Sequence, residues 1–358
     1  MGQAGKTDSI RTTKAILDPT LAAGRPSHAR LEMLDGWRAI SILAVLAAHM
    51  LPIGPKSWAL NEPVASLGMA IFFTLSGFLV VSILLRDQNI IAFAIKRVAR
   101  IVPLAWGVLI VTFVMLGAGF PEWRANLLFY ANLPPFYLMH LGHFWSLSVE
   151  MQFYAAVGIT VAIAGARGLW LVPVVALAVT ALRIGTHAPV SIVTWLRVDE
   201  ILAGGTLALL LHERTDATRR WLNRIPFVPV ACLFLLSATH LPALYWLNFP
   251  RPYLAATMVG ITVARTVPLV SGLLVSRPAR YVASISYALY IIHPLTMFGW
   301  LGAGEGWAKY AKRPICFALT WAGAHLSTFY YELPINHRAH RLAASLRVGR
   351  AGSSAEPA

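Results

Sequence analysis

The sequence predicts an all-α fold, a polytopic transmembrane helix bundle of about ten spans. Composition is the first reason, because 57% of the 358 residues are hydrophobic and only 13% are charged, whereas a soluble domain usually carries about 25% charged residues. The second reason is the order of the residues, since long apolar runs alternate with short basic patches. This pattern is typical of repeated membrane crossings and not of one large soluble core.

Ten apolar segments are the candidate spans. Their approximate bounds are 36–53, 66–85, 101–119, 144–164, 168–184, 191–211, 226–241, 252–270, 281–301 and 314–333. The seventh is short, and Pro250 and Pro252 break the stretch 244–270, so nine to eleven spans fit the pattern. Aromatic residues favour the membrane interface, and we therefore expect an interfacial helix at 123–140.

The two ends of the chain lack sustained apolar runs. We predict flexible cytoplasmic tails at residues 1–30 and 341–358, on either side of a transmembrane domain at residues 31–340. Basic residues concentrate in the loops that share a side with the N-terminus, and few, among them Arg183 and Arg251, fall on the other side. The positive-inside rule therefore predicts that both termini are cytoplasmic.

Net charge could also indicate a nucleic-acid partner, since 30 basic against 15 acidic residues give a formal charge of +15. Membrane orientation explains this charge better, so we predict no nucleic-acid partner and expect membrane lipids with anionic headgroups instead.

Two cysteines, Cys232 and Cys316, have no metal-ligand spacing. We therefore predict no disulfide framework and no metal site. We also expect no tightly bound cofactor.

Several ionisable residues lie inside the predicted spans, where each costs about 2.5–3.5 kcal/mol at the centre of the membrane. In the first span, Arg38 and His49 are about 20° apart around the helix and about 16 Å apart along it, so they share a face. In the fourth span, Ser146, Glu150 and Tyr154 recur every four residues and form one polar stripe. Structural hydrogen bonds and ion pairs remain an alternative to a functional role for both groups.

Two further spans carry polar groups that must avoid lipid. Arg197, Asp199 and Glu200 fall within the sixth span and must face a polar cavity or one another. In the ninth span, Tyr290 and His293 are three residues apart and share a face. These five residues are candidates to line a cavity.

Polar groups also lie at the second span and just beyond it. The Ser76–Gly77 pair can open a helix locally toward a cavity. Arg97 and Arg100 lie one turn apart on the predicted cytoplasmic side, where paired guanidinium groups can bind phosphates. The alternative for these two arginines is an ordinary positive-inside anchor.

These segments together resemble the acyltransferase-3 family of membrane O-acyltransferases. The stretches that carry the resemblance are 34–50, 68–80, 96–103, 144–154, 197–205, 284–294 and 332–338, in family order. The resemblance implies an integral membrane O-acyltransferase that uses an acyl-CoA co-substrate, usually acetyl-CoA, on the cytoplasmic side. It implies a carbohydrate or similar hydroxyl acceptor, such as exopolysaccharide or lipopolysaccharide, reached from the other side of a bacterial inner membrane.

The resemblance also implies functional roles for residues that match family patterns, namely Arg38, His49, Arg97, Arg100, Ser146, Glu150 and Tyr154. The other polar residues named above are added by our own hypothesis. The expected catalytic residues are His49, Glu150 and Arg38; the expected donor-binding residues are Arg97, Arg100, Ser76 and Gly77; and the expected acceptor or cavity residues are Ser146, Tyr154, Arg197, Asp199, Glu200, Tyr290 and His293. Our hypothesis is that His49 is the general base and that Glu150 orients it, provided that their spans meet. Some members of the family carry a C-terminal esterase-like domain, and we expect none here.

Other classes of protein also fit a polar track through a helix bundle. A proton-coupled transporter of a small or glycan-like solute would place His, Glu and Asp side chains in this way. A membrane scaffold with structural ion pairs is a third, weaker alternative. Acyl-CoA dependence distinguishes the enzyme, because a transporter has no reason to cleave a thioester.

Overall fold

The computed structural model describes residues 28–239 and 241–353. All regular secondary structure in these residues is helical, which confirms the all-α prediction. In chain order, the helices are α1 (His28–Met50), α2 (Asn61–Arg86), α3 (Ile90–Leu116), α4 (Phe120–Leu127), α5 (Phe144–Ala164), α6 (Leu171–Gly185), α7 (Asp199–Glu213), α8 (Thr215–Arg224), α9 (Phe227–Leu236), α10 (Arg251–Ala264), α11 (Val270–Leu274), α12 (Arg277–Ile292), α13 (Gly306–Ala311), α14 (Arg313–Leu326) and α15 (Leu333–Ser353).

Within the described residues, four helical stretches are long and apolar enough to cross a membrane. They are Glu32–Met50, Asn61–Arg86, Ile90–Leu116 and Phe144–Gly185, the last of which contains α5, α6 and a 3₁₀ turn between them. The other apolar helices are shorter, and the predicted seventh span corresponds to the ten residues of α9. The chain is therefore a multi-pass membrane protein, while about ten spans and cytoplasmic termini stay predictions.

Several predicted segments differ from the structure. The predicted third span begins too late, because α3 already starts at Ile90, and the predicted eighth span ends too late, because α10 ends at Ala264. The predicted sixth span begins too early, because α7 starts only at Asp199. The predicted ninth span ends too late, because α12 ends at Ile292 and Pro294 follows. The interfacial helix predicted at 123–140 is wrong beyond Leu127, where turns and irregular backbone continue to His143.

The predicted tails fall mainly at the limits of the described chain. Residues 1–27 and 354–358 lie outside the described residues, and residues 28–30 already belong to α1. Residues 341–353 continue the helix α15, which packs against α3.

Helix ends follow local sequence signals. The side chain of Asn89 caps α3 by accepting a hydrogen bond from the backbone N–H of Ala92 at 3.0 Å. Gly117 ends the same helix with a φ of 69°, which glycine adopts at little cost. The hydroxyl of Ser276 caps α12 in the same way as Asn89, at 3.3 Å from the N–H of Ala279.

The centre of the bundle is α2, which packs between α1 and α7. Two glycines allow the backbones of α2 and α7 to approach closely. A Cβ at Gly77 would lie 1.8 Å from the carbonyl oxygen of Ile201, and a Cβ at Gly204 would lie 1.9 Å from that of Thr74. Small residues at helix crossings in membranes permit this packing.

We predict that Gly204→Ala destabilises the bundle by about 1–3 kcal/mol or more, because the added methyl group overlaps a backbone carbonyl that cannot move aside. Thermal unfolding in lipid nanodiscs measures the effect. Gly107→Ala is the matched control, since a Cβ at Gly107 meets nothing within 4 Å. Equal unfolding temperatures for the two variants would contradict the close crossing.

Candidate active site

Two cavities lie along α1, and a small space between them, here called the neck, shares lining residues with both. The arginine cavity, of about 260 Å³, is lined by Asp35, Arg38, Arg97, Arg100, Glu150 and Tyr154 among others. The histidine cavity, of about 300 Å³, is lined by His49, Glu62, His143, Trp145, Arg197 and Tyr290 among others. The neck has a volume of only about 10 Å³ and is lined mainly by apolar side chains, including Val45, Met69 and Phe72.

Arg38 and His49 stand at different points of this path. Arg38 lines both the arginine cavity and the neck, whereas His49 lines the histidine cavity. Arg38 also forms an ion pair with Asp35 at 3.0 Å. The face of α1 that carries both residues therefore runs past the neck from one cavity to the other.

The arginine cavity has an excess of positive charge. Its lining contains the guanidinium groups of Arg38, Arg97 and Arg100 against the carboxylates of Asp35 and Glu150. The guanidinium of Arg97 lies over the ring of Tyr154, at 5.5 Å from the ring centroid. Neither Arg97 nor Arg100 forms an ion pair with a described residue, so both can bind an anionic ligand.

Glu150 is held by hydroxyl groups at the wall of the arginine cavity. Its carboxylate accepts a hydrogen bond from Ser76 at 2.5 Å and another from Tyr154, and the two hydroxyl oxygens are 2.9 Å apart. Ser76 therefore faces the cavity. The predicted opening of the helix at Ser76–Gly77 is wrong, because α2 is continuous there and Gly77 serves the crossing with α7.

The prediction that Glu150 orients His49 is also wrong. Nδ1 of His49 lies 2.8 Å from Nε2 of His293, and Glu150 faces the other cavity. The polar stripe on α5 in fact serves both cavities, since Ser146 bonds with the hydroxyl of Tyr290 at 2.5 Å. Helical spacing correctly placed the stripe on one face, but it could not show which neighbouring helix meets each residue.

His143 was missed by the sequence analysis. It immediately precedes α5, outside the stripe that the four-residue spacing identifies. Its ring lies against those of Tyr290 and His293, with centroids 5.6 Å apart in each case, and it lines the histidine cavity. The signal in the sequence was its place one residue before the segment 144–154, which resembles the family.

The charged group at the start of α7 forms a buried ion-pair network. Arg183 and Asp199 pair at 2.5 Å, and Glu200 pairs with Arg251 at 3.0 Å and with Arg197 at 3.2 Å. All five side chains are at most 3% exposed. The prediction that Arg183 and Arg251 are charges of outer loops is therefore wrong, because both side chains are buried in ion pairs.

Asp199 and Glu200 do not reach the histidine cavity, so the structure does not place them at an acceptor site. Arg197 does line that cavity, and its Nε and one terminal nitrogen have no hydrogen-bond partner. Its guanidinium lies over Trp145, at 5.3 Å from the ring centroid.

Within the described residues, no group of three or more His, Cys, Asp or Glu side chains is arranged to hold a metal ion.

An all-helical, multi-pass membrane protein with an arginine-lined cavity joined to a histidine-lined cavity is the class that this fold and site define. A family model described as an acyltransferase domain matches residues 31–331. The chain therefore belongs to the acyltransferase-3 family.

Two relatives share 26% and 29% identity with this chain over the matched residues. The peptidoglycan O-acetyltransferase OatA of Listeria monocytogenes is 29% identical over 36% of this chain and 24% of its own length. YrhL of Bacillus subtilis, provisionally named a peptidoglycan O-acetyltransferase, is 26% identical over 74% of this chain. The match spans 48% of the length of YrhL, about half of that relative. No solved structure matches the chain.

We predict that Glu200→Gln destabilises the protein by about 3–5 kcal/mol, because it leaves Arg251 and Arg197 buried without their carboxylate. Chemical or thermal unfolding in nanodiscs measures the loss. Glu213→Gln is the matched control, since Glu213 pairs with His212 at the surface, where such pairs contribute about 0–1 kcal/mol. A stable Glu200→Gln variant would show that the network is not needed for folding.

Proposed function

We propose that the chain is an integral membrane O-acetyltransferase that moves an acetyl group from cytoplasmic acetyl-CoA to a hydroxyl of a cell-surface or exported carbohydrate. The observation that carries this proposal is the single path in which an arginine cavity, an apolar neck and a histidine cavity follow one another. Family membership supports the reaction class. The proposed location is the inner membrane of a bacterium.

In the proposed complex, the phosphates of the donor occupy the arginine cavity. Arg97 and Arg100 hold them by charge-assisted hydrogen bonds, and Arg38 adds a third guanidinium nearer the neck. The thin arm that carries the thioester enters the neck, which has a volume of only about 10 Å³ and must widen to admit it. Glu150, fixed by Ser76 and Tyr154, limits the positive charge in the cavity and keeps its wall in place.

The proposed reaction takes place in the histidine cavity. His49 accepts the proton of the acceptor hydroxyl as the hydroxyl oxygen bonds to the thioester carbon. The carbon–sulfur bond then breaks, and the leaving sulfur takes that proton from His49 to give the free thiol of CoA. The unpartnered edge of Arg197 is the proposed donor to the oxyanion that forms between these two events.

The acceptor is proposed by chemical class, a carbohydrate hydroxyl. Trp145 lines the histidine cavity, and its aromatic side chain is a proposed contact for a sugar ring. Exopolysaccharide and lipopolysaccharide follow from the resemblance of the sequence, and the names of the relatives add peptidoglycan. All three belong in the assay.

We predict that His49→Ala lowers acetyl transfer by about 10²–10⁴-fold, because the general base is lost. The measurement is release of the CoA thiol from acetyl-CoA by the purified protein in nanodiscs, with each candidate glycan in turn. His325→Ala is the matched control, since His325 lies on a helix of the bundle but lines neither cavity. If wild-type protein consumes no acetyl-CoA with any glycan, the proposal fails and a transporter becomes the better candidate.

We predict that Arg97→Ala raises the KM for acetyl-CoA by about 10–100-fold and changes kcat much less, because a hydrogen bond to a charged group contributes about 1.5–3 kcal/mol. The same thiol assay, with the donor concentration varied, measures both constants. Arg86→Ala is the control, since this exposed arginine at the end of α2 lines neither cavity. An unchanged KM would remove the donor from the arginine cavity.

A further inference from the structure

The backbone at the end of α12 determines where His293 carries its proton. The carbonyl of Tyr290 would normally accept a hydrogen bond from the N–H of residue 294, but that residue is Pro294, which has none. Nδ1 of His293 lies 2.8 Å from the Tyr290 carbonyl oxygen and 3.2 Å from that of Leu289. Because a carbonyl oxygen can only accept, Nδ1 must be the protonated nitrogen.

The proton on His293 decides the proton on His49. In neutral His293, protonation of Nδ1 leaves Nε2 with a lone pair, and this Nε2 lies 2.8 Å from Nδ1 of His49. His49 must therefore donate from Nδ1 to complete the hydrogen bond. Its other nitrogen, Nε2, is then the one with a free lone pair.

The two rings lie edge to edge. Their centroids are 5.1 Å apart and their planes differ by 14°, while the bonded nitrogens are 2.8 Å apart. The hydrogen bond consequently runs almost along the line between the ring centres and close to both ring planes, as ring nitrogens require. His293 is only 1% exposed, whereas His49 is exposed toward the histidine cavity.

We propose that His293 is a positioning residue for the transfer, and that its ring, anchored to the backbone, holds His49 in the tautomer whose Nε2 takes the proton of the acceptor. This inference rests on the proposed function for its catalytic meaning. The proton passes from the hydroxyl to Nε2 of His49 and then to the leaving sulfur, while Nδ1 of His49 keeps its proton throughout. His293 also keeps its own proton, so it never carries charge during the reaction.

This arrangement differs from a base that is oriented by a carboxylate. A neutral imidazole partner selects the tautomer and the orientation of the ring, but it adds no negative charge beside the base. The groups that surround the pair are His143 and Tyr290 at ring contact, with Glu62 and Arg197 farther along the cavity lining. Glu150 belongs to the other cavity.

The first test compares His293→Leu with His293→Gln in the thiol-release assay. The Leu variant should lose about 10²–10⁴-fold in kcat, with the KM for acetyl-CoA nearly unchanged, because a misplaced tautomer cannot take the proton. The Gln variant should recover most of the loss, since its amide oxygen can accept from Nδ1 of His49. His325→Leu is the matched control, because the partner of His325 is the hydroxyl of Tyr281 and not the active site.

Two results of this assay would overturn the inference. One is a Leu variant with the kcat of the wild type, and the other is a Gln variant no better than Leu when both remain folded. Equal elution on size exclusion and equal unfolding temperatures establish folding. A loss of this kind with an unchanged KM is not expected from a residue that only fills space.

A second measurement does not depend on activity. Nitrogen-15 NMR of histidine-labelled protein in nanodiscs, wild type against His49→Ala, isolates the signals of His49. We expect a neutral ring with a protonated Nδ1, and we expect this signal to be lost in His293→Leu. If Nε2 of His49 carries the proton in the wild type, the inference is wrong even when transfer is observed. If the expected tautomer is seen but no acyl-CoA is consumed, the proposed function fails and the hydrogen-bond assignment stands.

Discussion

The close crossing of α2 and α7 is the packing constraint on which the rest of the structure depends. Gly77 and Gly204 bring two backbones into contact at the centre of the bundle, and no larger residue could replace either one without moving a helix. This contact sets α2 between α7 and α1. It thereby sets Ser76 opposite Glu150 on one side and places the start of α7, with its charges, beside the histidine cavity.

The buried charges at the start of α7 illustrate how a membrane protein tolerates groups that lipid would reject. Removing a charge from water costs several kcal/mol even in a relaxed protein, and an ion pair offsets that cost only with good geometry. Here Asp199 and Glu200 form ion pairs with Arg183, Arg251 and Arg197. The network joins α6, α7 and α10. It leaves Nε and one terminal nitrogen of Arg197 without a hydrogen-bond partner.

The two cavities provide separate environments for donor binding and for general-base catalysis, which have different electrostatic requirements. Binding a polyanion needs several positive charges, and these would oppose the protonation of a base close by, whereas a general base must take up a proton during the reaction. The apolar neck separates these two environments along α1. Arg38 and His49 can therefore share one helix face without sharing one cavity.

Helical spacing predicted a good part of the site. The period of 3.6 residues placed Ser146, Glu150 and Tyr154 on one face, and the cost of buried charge correctly indicated that Arg197 and its neighbours avoid lipid. Spacing did not predict the partner of His49, because the sequence separation between His49 and His293 is 244 residues. It also mistook Arg183 and Arg251 for surface charges, since a basic residue near the end of an apolar run is more often at the membrane surface.

Composition and apolar periodicity by themselves determined that the chain is an all-α membrane protein, because so much apolar surface with so little charge has no other stable environment. The order of short motifs determined its resemblance to one family. Only the tertiary structure decided which polar groups of different helices meet: Glu150 with Ser76, and His49 with His293. The physical reason is that periodicity describes one helix at a time, whereas hydrogen bonds between helices depend on how those helices cross.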